Sequence, residues 1–303
     1  MNARLDAAPL HQDPAEAFLE ACALDVEAFK PGNVSHESPG HGMEARDFLT
    51  SAAASAPYLT DMSLSVGERI FRAIEATHQA VACNTNLGII LLAAPVLHAT
   101  QHRQPGEPLA RRLQRTLARL TLEDAEWVYG AIRLAAPAGL GTAQRNDVHS
   151  APAVTLLAAM HDAAHRDRIA RQYTSCYADI FMSGLPALRL GRACWGNDAQ
   201  AGVMVYLNFL AEFHDSHVLR KYGLPTAEQL QRLAQACMQD ISGCQDWPAV
   251  RTHLAALDKT LKSAAINPGT SADLTVATWL IDRLLSTEHQ PISNNLSEGK
   301  MHV

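Results

Sequence analysis

The segment Asn267-Pro268-Gly269-Thr270-Ser271-Ala272-Asp273 carries the residue types of a helix start that can hold an anion. Pro268-Gly269 makes a turn. Thr270-x-x-Asp273 has capping-box spacing, with Asp in place of the usual Glu, and the apolar run Leu274 to Ile281 follows. Free backbone N–H groups and the helix dipole at such an end attract phosphate. The same residues also make an ordinary cap, so this segment alone leaves both readings open.

Three further segments carry comparable chemistry. Lys30-Pro31-Gly32-Asn33-Val34-Ser35-His36 is a normal helix stop, or a tight loop presenting Lys30, Gly32, Asn33 and Ser35 to a phosphate or ribose. Asn84-Thr85-Asn86-Leu87-Gly88 is a polar cap ahead of the run Ile89 to Leu92; its side chains can also hydrogen-bond a nucleotide. Gly88 in a first helical turn lowers helix propensity, which predicts that something approaches closely there. Asp215-Ser216-His217, with Arg220 and Lys221 beyond, puts an acid, an imidazole and two cations within seven residues. That set could serve metal and phosphate together, or it is a solvated helix end.

Two other patterns read more simply. His161 and His165 stand four apart with Asp162 between them, the zincin spacing with Asp for Glu. In a chain with 14 histidines this spacing also arises by chance. Arg111, Arg112, Arg115 and Arg119 lie mostly opposite Leu113, Leu117 and Leu120, the pattern of a solvated helix face.

The elements that must position these residues are helices. Asp13-Pro14 supplies an N-cap and a proline at the first helical position; Phe18, Cys22, Val26 and Phe29 recur at helical spacing, and Pro31-Gly32 ends the run. Helical periodicity continues over about 45–57, 65–81, 85–99, 108–119, 122–136, 151–165, 167–182, 198–214, 226–240, 247–262 and 271–286, with no convincing alternating strand. The fold class is all-α, one multi-helix domain over 13–286, with 287–303 a polar, aperiodic, mobile tail.

Composition narrows the partners. The chain has 303 residues, 25 Lys and Arg against 31 Asp and Glu, and a net charge of −6. It lacks the basic footprint of a nucleic-acid binder, so a polyphosphate ligand needs locally gathered cations or a metal ion. The six cysteines form no Cys-x-x-Cys pair and read as reduced thiols in a cytoplasmic protein. Met1 to Gln12 lacks an apolar signal region, and Leu87 to Leu97 is too short to span a bilayer, so no membrane partner is expected.

In their order and gaps, the motifs resemble the triphosphoribosyl-dephospho-CoA synthase family. Lys30-Pro31-Gly32 resembles its Lys-Pro-Gly, Asn84 to Gly88 its Asn-Thr-x-x-Gly, and Pro268 to Leu274 its Pro-Gly-Gly-Ser-Ala-Asp-Leu. Asp215-Ser216-His217 is similar to an Asp-rich turn two-thirds along. The resemblance runs from about residue 15 to 285. It implies an all-α fold and Mg²⁺-dependent transfer of the triphosphoribosyl group of ATP to the 2′-hydroxyl of 3′-dephospho-CoA, with release of adenine. The product serves as a prosthetic-group precursor.

Relatives follow Lys-Pro-Gly with Leu-Val-Asp-Arg and a Gly-x-His-x-Asp-Met stretch. Here the chain reads Asn33-Val34-Ser35-His36 and Gly40-His41-Gly42-Met43-Glu44. Ser35 replaces one aspartate, the second is missing, and His41 is kept; Glu44 and Asp47 are the acids nearby. The text looks closer to a divergent branch in organisms that make tetrahydromethanopterin-type cofactors, where the acceptor is open.

Breaking a ribose C1′–N9 bond builds positive charge on the sugar, so an anion beside C1′ and proton carriers are needed. On that reading Asp215 and Asp273, then Asp147 and Asp179, bind Mg²⁺ or steady the sugar cation. Lys30, Arg220 and Lys221 pair with phosphates, and the amides of Gly269, Thr270, Ser271 and Ala272 receive phosphate oxygens. Asn84, Thr85 and Asn86 bond ribose or base, and His217 or His41 moves the proton. The partners are ATP and a ribosylated small-molecule acceptor, with homo-oligomerisation left open. A zinc hydrolase on His161 and His165 and a non-catalytic nucleotide-binding protein are the rivals.

Overall fold

The computed structural model describes residues 13–101 and 106–288. It is all-α, as expected. The helices are α1 (Pro14–Glu27), α2 (Ala45–Thr60), α3 (Val66–Val81), α4 (Leu87–Gln101), α5 (Leu109–Ala118), α6 (Leu122–Ala135), α7 (Leu156–Ala163) and α8 (Arg168–Ser175). A π-helical turn (Ile180–Gly184) then leads into α9 (Leu185–Trp195), followed by α10 (Asp198–Glu212), α11 (Ser216–Tyr222), α12 (Leu224–Asp240), α13 (Trp247–Ser263) and α14 (Gly269–Glu288). Among the described residues no strand forms; one isolated bridge joins Gly40 and Met43. No described helix is long and apolar enough to cross a membrane.

Two helices make the centre. In α4, every residue from Leu87 to Leu97 is buried. In α14, every residue from Thr270 to Ile281 is buried except Asp273. A helix apolar on all sides has no solvent face and must be enclosed by others. Thr275 and Thr278 tolerate this burial because their hydroxyls donate to the carbonyls of Ser271 and Leu274, each at 2.8 Å within the same helix. Gly202 of α10 lets α14 approach: a Cβ there would overlap the indole of Trp279.

The expected boundaries mostly hold, with informative exceptions. The helix expected over 151–165 is shorter, because Thr155 caps it, accepting from the Ala158 N–H at 3.4 Å, and only α7 forms. The run expected over 167–182 breaks where Cys176 and Tyr177 turn left-handed. Helix α9 had no expectation; Pro186 sits in its first turn, where a missing N–H does no harm. Arg112 is 1 % exposed, against the expected solvated face. The tail expected over 287–303 lies beyond the described residues except for its first two, which extend α14. All six cysteines are free thiols.

Candidate functional site

The N-terminal turns of α4, α8, α11 and α14 converge on one cavity of about 580 Å³. Each end is built locally. Asn84 Oδ1 accepts from the Leu87 N–H (3.2 Å) and Asp167 Oδ1 from the Ala170 N–H (3.0 Å). Asp215 Oδ1 accepts from the N–H groups of His217 (3.0 Å) and Val218 (3.1 Å), capping α11. Its Oδ2 accepts from the N–H and hydroxyl of Ser271 (2.8 and 2.9 Å), tying α11 to α14. The far wall is α6, through Val128, Tyr129 and Ile132, and the loop after it, with Gly139 to Ala143. Tyr129, Arg133 and Arg220 pin that loop by donating to the carbonyls of Asn146, Val148 and Ala138.

This arrangement changes the reading of Asn267 to Asp273. The capping box expected between Thr270 and Asp273 does not form; Thr270 is inside the helix, and its hydroxyl accepts from the His217 N–H at 3.1 Å. The cap acceptor is Asp215, 56 residues away in sequence. Of the α14 amides, Ser271 is thus taken by an internal carboxylate, Gly269 donates to the Asn267 carbonyl and Ala272 to that of Pro268. Only the Thr270 N–H lacks an acceptor among the described residues. Asp215 itself is 1 % exposed and is not part of the cavity wall.

Asp273 does face the cavity. Burial, then the carboxylates of Asp25, Asp215 and Asp167, push its pKa well above the usual carboxylate range, with Arg220 opposing. Gly88 is the close approach expected from sequence: a Cβ there would overlap the Asp273 carboxylate. His217 lies over Gly269 at the cavity wall, and burial, Arg220, Lys221 and His41 lower its pKa to about 4. It is therefore neutral at ordinary pH. His41 is in the left-handed region (φ 57°), with its Nε2 2.9 Å from the Gly32 carbonyl, and does not line the cavity.

The Lys30-Pro31-Gly32 turn is clamped from behind. The Gly32 N–H donates to Asp258 Oδ1 (2.8 Å), and Tyr206 donates to the Pro31 carbonyl (2.6 Å). Gly32 needs its φ of +80° and has the Ile266 carbonyl and Leu261 against it. Lys30 is buried and pairs with Asp25 at 3.0 Å rather than facing the cavity. Ser35 is buried behind the wall. Asn33 does line it, donating to Asn267 Oδ1 at 2.9 Å.

The other expected residues divide similarly. Asn84, Thr85, Gly88, Gly269, Thr270, Arg220 and Asp147 line the cavity; Asn86, Ser271, Lys221 and Asp179 do not. Asn86 donates to Thr77, and Asp179 is held by Arg168 and Gln172. Asp147 is held at about pKa 2 by the N–H groups of His149 and Ala143 and the His149 ring. Among the described residues no three His, Cys, Asp or Glu side chains cluster to hold a metal. The four expected aspartates do not gather into such a cluster, although Asp215 and Asp273 feel each other's charge. The zinc spacing fails too, because α7 ends at Ala163 and leaves His165 outside the helix.

Sequence reasoning missed Asp25, Arg166 and Asp167, all at the cavity. Asp25 had a signal: it falls on the apolar face of α1 with Phe18, Ala21 and Cys22, where an acid is out of place. Burial raises its pKa, with Lys30 opposing. Arg166 and Asp167 lie between α7 and α8, with no motif to mark them.

Comparisons with known proteins follow the same line. A family model described as ATP:dephospho-CoA triphosphoribosyl transferase matches residues 11–291. A 2-(5''-triphosphoribosyl)-3'-dephosphocoenzyme-A synthase of Klebsiella pneumoniae is 25% identical over 295 residues, covering 91% of this chain and 98% of the relative. A protein of Stutzerimonas stutzeri (strain A1501) named a probable synthase of the same kind is 28% identical over 198 residues, 61% of this chain and 68% of its own. A crystal structure assigned to a triphosphoribosyl-dephospho-CoA synthase of Archaeoglobus fulgidus superposes with a TM-score of 0.60 at 22% identity, covering 79% of this chain and 98% of that one, which shows a shared fold.

Proposed function

Because this chain belongs to the ATP:dephospho-CoA triphosphoribosyl transferase family, we propose that it transfers the triphosphoribosyl group of ATP to a ribosyl hydroxyl of 3′-dephospho-CoA and releases adenine. The C1′–N9 bond breaks, a C1′–O bond forms, and the hydroxyl proton ends, directly or by relay, on the departing adenine. The observation that carries the reading is the convergence of four helix N-termini on a cavity walled by Asp273 and Asp25. Arg166, Arg220 and the free Thr270 N–H at this wall favour the triphosphate, and buried carboxylates favour the cationic sugar.

Two carboxylates at the cavity wall, Asp273 and Asp25, support a magnesium ion for this chemistry, although Lys30 already pairs with Asp25. Mg²⁺ is usually bound by one or two carboxylates plus substrate phosphates. Asp273 accepts no hydrogen bond from the described residues and lies in the field of Asp25. These two carboxylates would hold the ion, which when bound neutralises phosphate charge. Arg220, Arg166 and the Thr270 N–H face the same space and would take phosphate oxygens. Asn84 and Thr85 would bond ribose or base. His217, neutral and at the wall, is the better placed of the two histidines to accept the hydroxyl proton. Ser35, which stands where relatives carry aspartate, is outside the wall, so that departure leaves the cavity surface intact.

Mass spectrometry of a reaction with ATP, Mg²⁺ and 3′-dephospho-CoA tests the reading. The expected product is the acceptor enlarged by one triphosphoribosyl group. An unmodified acceptor after full incubation would overturn it.

A further inference from the structure

A second concave site of about 340 Å³ adjoins the main cavity and shares Arg166, Asp167 and Leu219 with it. It lies between the α7–α8 turn, the start of α8 and the α10–α11 connection. Its character is the reverse of its neighbour's. The main cavity has four carboxylates at its wall, Asp25, Asp147, Asp167 and Asp273. The second site gathers Arg166, Arg168 and Arg171 with the imidazoles of His165 and His214.

Its two acids are already engaged. Asp167 caps α8 and pairs with Arg220 at 3.4 Å; Glu212 accepts from Ser183 (2.7 Å) and Asn208 (3.0 Å). Arg168 is fixed, bonded twice to Asp179 (2.6 and 2.9 Å) and stacked on Phe213 with its guanidinium carbon 4.0 Å from the ring centroid. Its backbone N–H donates to Ser216, so the end of α8 offers little on its own. Arg166 and Arg171 are exposed and have no acidic partner among the described residues. In a chain of net charge −6, two guanidinium groups without acidic partners outnumber the one uncompensated acid, Glu212, and leave this concavity locally positive.

We propose that this second site binds a phosphate chain whose other end lies in the main cavity, with Arg166 on the ridge between them. The inference rests on the proposed function for the identity of that chain. Guanidinium groups meet phosphate with paired N–H donors, and the separation of charge gives the ligand a direction. The carboxylates take the sugar and metal end, and the arginines take the phosphate tail. The chain comes from the triphosphate of the donor or the diphosphate of the acceptor.

The test compares wild-type protein with Arg171→Ala and the double variant Arg166→Ala/Arg171→Ala, using Arg189→Ala on α9 as a distant control. Binding of AMP, ATP and inorganic tripolyphosphate is measured with Mg²⁺ present, and the KM for 3′-dephospho-CoA in parallel. If the donor's phosphates occupy the site, tripolyphosphate binding weakens at least about tenfold and ATP loses its advantage over AMP, while AMP binding holds in Arg171→Ala. If the acceptor's phosphates occupy it, the KM for 3′-dephospho-CoA rises by a similar factor and the ratio of ATP to AMP binding is unchanged. Neither change, or the same change in Arg189→Ala, overturns the proposal. Tripolyphosphate binding is read without turnover, so a failure of the transferase reading is seen separately, as a wild-type protein that binds the anion but forms no product.

Discussion

Asp215 and Asp273 are aspartates at one helix end, and their surroundings give them opposite work. Asp215 accepts four hydrogen bonds and joins two helices. Asp215→Ala leaves those donors buried and unpaired, and we expect a loss of about 2–4 kcal/mol in urea unfolding. Asp273 accepts none from the described residues, and its pKa is raised by burial and neighbouring carboxylates. A carboxyl with a raised folded pKa contributes stability below its unfolded value, and that contribution is lost as pH rises through the folded pKa. At neutral pH, without Mg²⁺, Asp273→Asn should therefore stabilise the fold, on the order of 1 kcal/mol, while adenine release collapses. A melting curve and an activity assay on the same sample check both halves. His217 has the opposite sign for its own reason: its pKa falls from 6.5 to about 4, chiefly through burial. Stability from it is full above 6.5 and is lost as pH falls towards 4. His217→Gln should flatten the slope of unfolding free energy between those two pH values. None of this division was legible in sequence. The local pattern Thr270-x-x-Asp273 suggests a self-contained cap, and only tertiary contact reveals that the cap comes from Asp215.

At the scale of elements, α4 and α14 meet through Gly88, which has the Asp273 carboxylate against it. A methyl group at this position must displace either the carboxylate or the helix. Gly88→Ala should reduce kcat/KM by about 10–100-fold and destabilise by about 1–3 kcal/mol, the range for overpacking a filled site. Steady-state kinetics with a parallel melt would separate the two effects; unchanged kinetics would mean that Asp273 moves aside without consequence. These two helices were legible because continuous apolar runs bounded by polar caps leave little choice of structure. The seven-residue α11 was not, being too short to show periodicity, and α9 was hidden by its proline. The loop after α6 carries no period at all, yet it supplies a cavity wall, because Tyr129, Arg133 and Arg220 hold its carbonyls.

Over the whole molecule, the layout places helix N-termini, buried carboxylates and unpaired arginines around adjoining concavities in an otherwise acidic chain. The ordered motifs marked four sides of that site: Asn33, Asn84 to Gly88, His217 with Arg220, and Gly269 to Asp273. They missed Asp25 and Arg166, which the fold brings in from α1 and from the α7–α8 turn. Several motif residues, Lys30, Gly32 and Ser271 among them, prove to hold the framework behind the wall instead. The central claim is that this site moves the sugar from adenine to an acceptor hydroxyl rather than to water. Its most direct measurement is the time course of free adenine, by chromatography, with ATP and Mg²⁺ in the presence and absence of 3′-dephospho-CoA. The account predicts adenine formation that requires the acceptor and matches its consumption one for one. Adenine released at the same rate without acceptor, or no adenine at all, would contradict it.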